Sequence, residues 1–401
     1  MDFSRLLSER SRGIDASGIR RVFDLGAKLK DPINLSIGQP DFPVAEPIKQ
    51  AAIAHILGNS NGYTVTQGIA PLRNRLARHL ADDVGWNVDP HPAAEADHTR
   101  PGVLVTSGTS GGLLLSFLAL INPGDEVIIP DPYFVMYPHL CRMVGATPVF
   151  CDTYPDFQMT AERVAPLITA RTKVVLLNTP GNPSGAVASQ RQCAELLELC
   201  RAKGVLLISD EIYDEFTYPD ARVVSEVGDR TPRCPSPARV AGSHDDVLLV
   251  RGFGKTYGMT GWRLGYAAGP RRLIEEMSKL QQYTFVCAPS ALQWAAAAAL
   301  DVNMANHIET YRKRRDLVVE MLGKVTELAA PGGAFYAFPR VPEGVAGGSA
   351  TKFIEKCLEK SVLVIPGNVF SRRDTHFRLS YATDEKNLVR GLEVLVGLLK
   401  G

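Results

Sequence analysis

The chain lacks most features that mark a membrane, secreted or nucleic-acid-binding protein. Its 401 residues carry a formal net charge of +1, so no basic excess is available to attract nucleic acid or an anionic bilayer. No apolar run is long enough to span a membrane; the stretch 294–300 has the length of a buried helix segment. The opening residues Met1-Asp2-Phe3-Ser4-Arg5 lead into polar sequence without the apolar core of a signal peptide. The seven cysteines are odd in number and include no C-x-x-C pair. That argues against a disulfide frame or a zinc site, and for reduced thiols in a cytoplasmic compartment. The eight histidines show no H-E-x-x-H spacing, so no metal is expected. A Walker A motif and a dinucleotide G-x-G-x-x-G are also missing, which disfavours a nicotinamide dehydrogenase.

What is present is a regular alternation. A chain this long exceeds the size at which one core stops growing, so two domains are expected. Short apolar runs at 103–106, 126–129, 147–151, 173–177, 205–209, 247–250 and 265–268 alternate with helical patterns, among them 134–143 and 190–203. This order predicts an α/β fold whose large domain has a mostly parallel seven-stranded sheet between helices. Residues 289–325 read as one long or kinked helix. After it, runs at 335–338, 362–365 and 377–381 lie among two helices, the pattern of a smaller α+β domain. The segment up to about residue 45 has no sheet of its own and is expected to pack with that smaller domain. The resulting division is 46–290 for the large domain, and 1–45 plus 291–401 for the small one. Residues 89–102 and 219–246 read as exposed loops and tolerated insertions.

Polar motifs fall at the carboxyl ends of the expected strands, where open α/β sheets bind ligands. Lys255 follows the run 247–250 in the window 251–266, which holds five glycines. Desolvation lowers a lysine's pKa and frees its amine as a nucleophile; the plainer reading is a lysine snorkelling to the surface. Ser107, Gly108, Thr109 and Ser110 open a helix after the run 103–106, either as an anion cradle or as ordinary caps. Asn182 sits in a turn-dense loop after 173–177. Asp210, after 205–209, is a strand-end carboxylate in need of a partner, or else part of a core salt bridge. Arg263 follows Lys255 by eight residues. Taken together, an amine, a lone acid, an anion cradle and an arginine are what pyridoxal phosphate requires.

Three motifs carry a resemblance over nearly the whole chain. They are N-x-P-x-N-P-x-G at 178–185, S-D-E-I-Y at 209–213 and K-T-Y-x-M-T-G-W-R-L-G at 255–265. In these the sequence resembles the class I/II aminotransferases, aspartate aminotransferase-like members of the fold type I pyridoxal phosphate enzymes. The resemblance implies that Lys255 joins the cofactor and shuttles protons, and that Asp210 pairs with the pyridine nitrogen. It implies that Asn182 and Tyr213 donate to the 3-oxygen, with Asn182 also near the substrate. Phe134 would stack on the ring. Gly108, Thr109, Ser110 and Arg263 would hold the phosphate, joined by Ser107 and by Tyr63 reaching across from a second subunit. Gly38 and Arg378 would bind the substrate α-carboxylate. The family's S-x-S-K is Gly252-Phe253-Gly254-Lys255 here, a cup with one hydroxyl fewer.

The expectation is therefore a transaminase moving the amino group of an α-amino acid to a 2-oxo acid such as 2-oxoglutarate, by a ping-pong mechanism. Its cofactor is pyridoxal 5'-phosphate, and it acts as a homodimer with shared sites, without nucleic acid or membrane partners. Aspartate is the first donor to consider, with alanine and aromatic donors close behind; no second arginine is marked out for a distal carboxylate, Arg12 and Arg20 being the candidates. A lyase or decarboxylase on the same cofactor is the nearest alternative. A non-catalytic cofactor-binding regulator is a further one, and no basic helix-turn-helix precedes residue 45 to favour it.

Overall fold

A computed structural model of the chain describes residues 3–14, 18, 26, 29, 31–92, 96–224 and 226–401. After the short β1 (Ile33–Asn34), seven strands build the main sheet: β2 (Gly102–Thr106), β3 (Glu126–Asp131), β4 (Thr147–Asp152), β5 (Thr172–Asn178), β6 (Leu206–Asp210), β7 (Val247–Gly252) and β8 (Gly265–Gly269). Their order is β2-β8-β7-β6-β5-β3-β4, with β8 antiparallel to its two neighbours and the remaining pairs parallel. All seven runs expected from the sequence are strands.

The sheet is covered on its two faces, which is why its strands read as unbroken apolar runs. Side chains alternate along β7 with period two. Val247 and Leu249 pack with Leu72, Leu76 and Leu80 of the Ala70–Val84 helix and with Leu196 of the Gln190–Lys203 helix. Leu248 and Val250 face the other way, toward Leu113 and Phe117 of the Gly108–Leu120 helix and Met277 of the Arg271–Gln282 helix. The Gln190–Lys203 helix has the bounds its pattern predicts. A Ser189–Gln192 capping box starts it and Gly204, at φ 63°, ends it.

A second, antiparallel sheet has β12 (Phe377–Ser380) between β9 (Tyr336–Ala337) and β11 (Ile365–Pro366). Beside it β10 (Val362–Leu363) pairs with β1, Ile33 opposite Val362, so the amino-terminal segment joins the carboxyl-terminal part. Phe335, Phe353, Phe377 and Leu392 form the core there.

Two expectations change. The region 289–325 is two helices, Ser290–Ala299 and Ala305–Leu322, separated by a turn in which Asn303 Oδ1 accepts the Ala305 N–H at 2.8 Å. The stretch 219–246 is not a free insertion: Ser236 and Ala238 are fully buried, and Arg239 nearly so. Among the described residues, no helix is long and apolar enough to cross a membrane.

Candidate active site

A cavity of about 450 Å³ opens where β2, β3, β5, β6 and β7 end. Gly108, Thr109 and Ser110 line it from the turn after β2, Phe134 from beyond β3 and Asn182 from the loop after β5. Asp210 and Tyr213 enter from β6 and Lys255 from β7; Arg263 precedes β8. Gly38, Tyr336 and Arg378 close it from the second sheet and the amino-terminal segment. Parallel strands place their carboxyl-end loops side by side, which is how residues 108 to 255 meet.

Lys255 lines the cavity and is half-buried. Its Nζ donates to the Gly38 carbonyl at 2.5 Å and lies 5.8 Å from the Tyr213 ring centre. Burial, reinforced by the Arg378 and Arg263 guanidiniums, lowers its pKa to about 8. A neutral amine is thus available near physiological pH.

Asp210 is buried. Its Oδ2 accepts the Tyr137 hydroxyl at 2.7 Å, and its Oδ1 accepts the Ile212 N–H at 3.3 Å. Burial raises its pKa to about 6, against the pull of the Tyr137 bond. Tyr137 was not singled out in the sequence. The available signal was a second aromatic three residues after Phe134, placed by the turn in which Tyr137 N–H donates to Phe134 O.

At the opposite wall, Arg263 adopts a left-handed backbone, φ 55°, and Nη1 donates to Thr260 O at 3.0 Å. Its guanidinium lies over Gly108, where a Cβ would stand 2.8 Å from Nη2. A Cβ on Gly265 would fall 2.8 Å from Thr109 N. These two glycines let a strand start, a helix start and an arginine converge around the Thr109 and Ser110 hydroxyls. The glycine at 252 has a related cause: a Cβ there would meet Thr109 Cγ2 at 3.1 Å and Ile212 Cδ1 at 3.0 Å.

Arg378 is 1% exposed on β12. Nη1 donates to Asn182 Oδ1 at 3.0 Å and Nη2 to Ser36 O at 2.9 Å. The guanidinium is sandwiched between the Tyr336 and Phe370 rings, 4.5 and 4.6 Å from their centres. Its buried Nε has no partner. Tyr213 and Tyr336 share a hydrogen bond at 3.0 Å.

Two expected residues stay apart. Ser107 does not line the cavity and its hydroxyl makes no cap bond. Tyr63 is 88% exposed and away from the cavity wall. Arg12 lies exposed on the Glu9–Arg12 helix, and Arg20 lies outside the described residues.

With this geometry in place, similarity decides the family. The aminotransferase class I and II family pattern matches residues 30–395. The chain belongs to the class I and II aminotransferases. It is 35% identical to the aspartate/prephenate aminotransferase of Thermus thermophilus, covering 93% of this chain and 92% of that one. It is 31% identical to aromatic-amino-acid aminotransferase 2 of Thermococcus litoralis, over 98% of each. Among solved structures, the aspartate aminotransferase from Thermus thermophilus with maleate superposes with a TM-score of 0.86 at 33% identity, covering 98% of this chain and 99% of that chain.

Members of this family use pyridoxal 5'-phosphate, and this aminotransferase is a transaminase acting on amino acids and 2-oxo acids. The donor set fits that cofactor. One wall holds an amine, another an arginine beside a helix start that glycines leave open, and a buried carboxylate stands apart from them.

Proposed function

We propose that this aminotransferase runs two half-reactions in alternation, with Lys255 as the proton carrier. When bound, pyridoxal phosphate supplies the aldehyde that takes up the amino group and a ring that withdraws electrons. Lys255 Nζ would hold the cofactor; once freed, the same amine would take the proton from the substrate Cα and deliver it to the carbon that had carried the aldehyde. Asp210 keeps the pyridine nitrogen protonated. Tyr213 and Asn182 donate to the 3-oxygen, and Phe134 covers one ring face. Thr109, Ser110 and Arg263 hold the phosphate. Arg378 and the Gly38 backbone bind the substrate α-carboxylate; the unpartnered Nε supports that role. The lowered Lys255 pKa carries the reading, since the same amine must be nucleophile and base near neutrality.

Exposed Tyr63 supports a homodimer in which each subunit completes its neighbour's phosphate site. We read 46–290 as the large domain, 1–45 plus 291–401 as the small one. The seven free cysteines support a cytoplasmic location.

Aspartate is the first donor to assay, on the names of the relatives, with 2-oxoglutarate as the acceptor tried first. A second donor class has an observation behind it. Among the described residues, the cations lining the cavity are Lys255, Arg263 and Arg378, so none is left over for a distal carboxylate. That favours an aromatic or other uncharged donor. A panel of aspartate, phenylalanine and alanine with 2-oxoglutarate separates the two by kcat/KM. Lys255→Ala should cut turnover by at least about a thousandfold while leaving the circular dichroism unchanged. Retained turnover would overturn the assignment.

A further inference from the structure

Behind the cavity lies a buried set of charges that the proposed chemistry does not use. Glu211, next to Asp210, is fully buried. Its Oε2 accepts from Arg251 Nε at 3.0 Å and Nη2 at 2.8 Å. Its Oε1 accepts from Ser209 Oγ at 2.7 Å and from Ser236 Oγ at 2.6 Å. Arg251, four residues before Lys255, also pairs with Asp83 through Nη1. Asp83 is held in turn by Arg239 and Arg233. Ser236, Arg233 and Arg239 belong to the stretch that reads as a dispensable insertion.

An ion network this deep is costly to desolvate, and buried ion pairs can often be replaced by apolar side chains of similar volume without loss of stability, so stability alone is a weak reason for it. Its place is informative: it ties together the ends of β6 and β7, which present Asp210 and Lys255. We propose that Ser236 and Arg251 are positioning residues for Asp210, acting through Glu211. Building on the role given to Asp210 above, they hold the Glu211 charge against β7 and away from its neighbour. Glu211 exposed to less compensation pushes Asp210 toward its protonated form, the direction its charge already exerts.

Other groups face this pair. Asp214 approaches Arg251 Nε at 3.2 Å, and the Cys193 and Cys234 thiols lie within range of Glu211. Tyr137 and Tyr213 flank Asp210. None of these is altered by the substitutions below.

Two variants of the holoenzyme should move the acidic limb of the pH–kcat/KM profile in opposite directions. Ser236→Ala removes a donor from Glu211, so the limb shifts to higher pH by about half a unit, a threefold change in proton affinity. Glu211→Gln removes the charge itself, so the limb shifts to lower pH by a similar amount. Ser236→Thr, which keeps the hydroxyl, restores the original profile. In a pyridoxal phosphate titration Ser236→Ala should raise the dissociation constant about threefold, a part of the loss of one charged hydrogen bond. A merely structural role would move the two limbs together or not at all, and either result overturns the inference. Asp210→Asn is the control. If it leaves cofactor affinity and the limb unchanged, the role of Asp210 fails; if only the 211 and 236 variants are silent, the positioning claim alone fails.

Discussion

Tyr137 donates its phenolic hydrogen to Asp210 Oδ2 across 2.7 Å, and neither side chain reaches solvent. The bond favours the carboxylate, burial favours the acid, and burial wins. Tyr137→Phe deletes the bond and little else. Asp210 then keeps its proton to higher pH, so the acidic limb of kcat/KM should rise by about one unit from its wild-type position. Comparison of the two pH–rate profiles checks this. An unmoved limb would argue that Asp210 is not the group whose ionisation the reaction needs.

The Lys255 amine gives a second pH expectation. Its pKa is depressed from 10.5 to about 8, chiefly by burial, so the neutral form accumulates from about 8 upward. Cofactor uptake by the cofactor-free protein requires that form. Below about 8 its rate should therefore climb roughly tenfold per pH unit, then level off. Stopped-flow absorbance resolves the profile. A rate still climbing toward the ordinary lysine value would show that the amine is not perturbed.

Ser110 stands at the first turn of the Gly108–Leu120 helix, lining the cavity near Arg263. With glycine at 252 and Ser107 absent from the lining, Thr109, Ser110 and Thr260 bring hydroxyls to the cavity around Arg263. Ser110→Ala should weaken cofactor binding by about tenfold or more, the worth of one hydrogen bond to an anion. Equilibrium titration followed by absorbance reads the constant directly, and an unchanged value refutes a phosphate contact there.

Arg378→Lys tests the carboxylate clamp. A lysine ammonium cannot reproduce the planar fork that Asn182, Ser36 and two aromatic rings hold in place. KM should increase about a hundredfold for every amino donor, with a smaller effect on kcat. Steady-state kinetics with aspartate, phenylalanine and alanine decide the point. A loss confined to one donor would place Arg378 at the side chain rather than at the α-carboxylate.

Much of the fold was legible because parallel strands covered on two faces must be apolar throughout, and β7 and β5 read that way at a glance. The Gln190–Lys203 helix announced its ends through Ser189, Gln192 and Gly204. The break at Asn303 was not legible, since helical periodicity runs through it and only a local side-chain turn marks it. Tyr137 was missed because its partner lies 73 residues away. The 219–246 stretch has the composition of a loop, while Arg239 is buried against Asp83 and the half-buried Arg233 pairs with the same carboxylate.

The order of residues along the chain was enough to specify the family, the strand succession and the chemistry-bearing side chains, because motif spacing and apolar periodicity are local properties. Only folding in three dimensions could decide which buried groups touch. It set Lys255 in one cavity with Arg263 and Arg378, left Ser107 out of the cavity lining and put Tyr63 at the surface. It also joined Ser236 to Glu211. Burial and proximity between distant segments govern proton affinity and hydrogen bonding, and neither quantity is written in a single stretch of sequence.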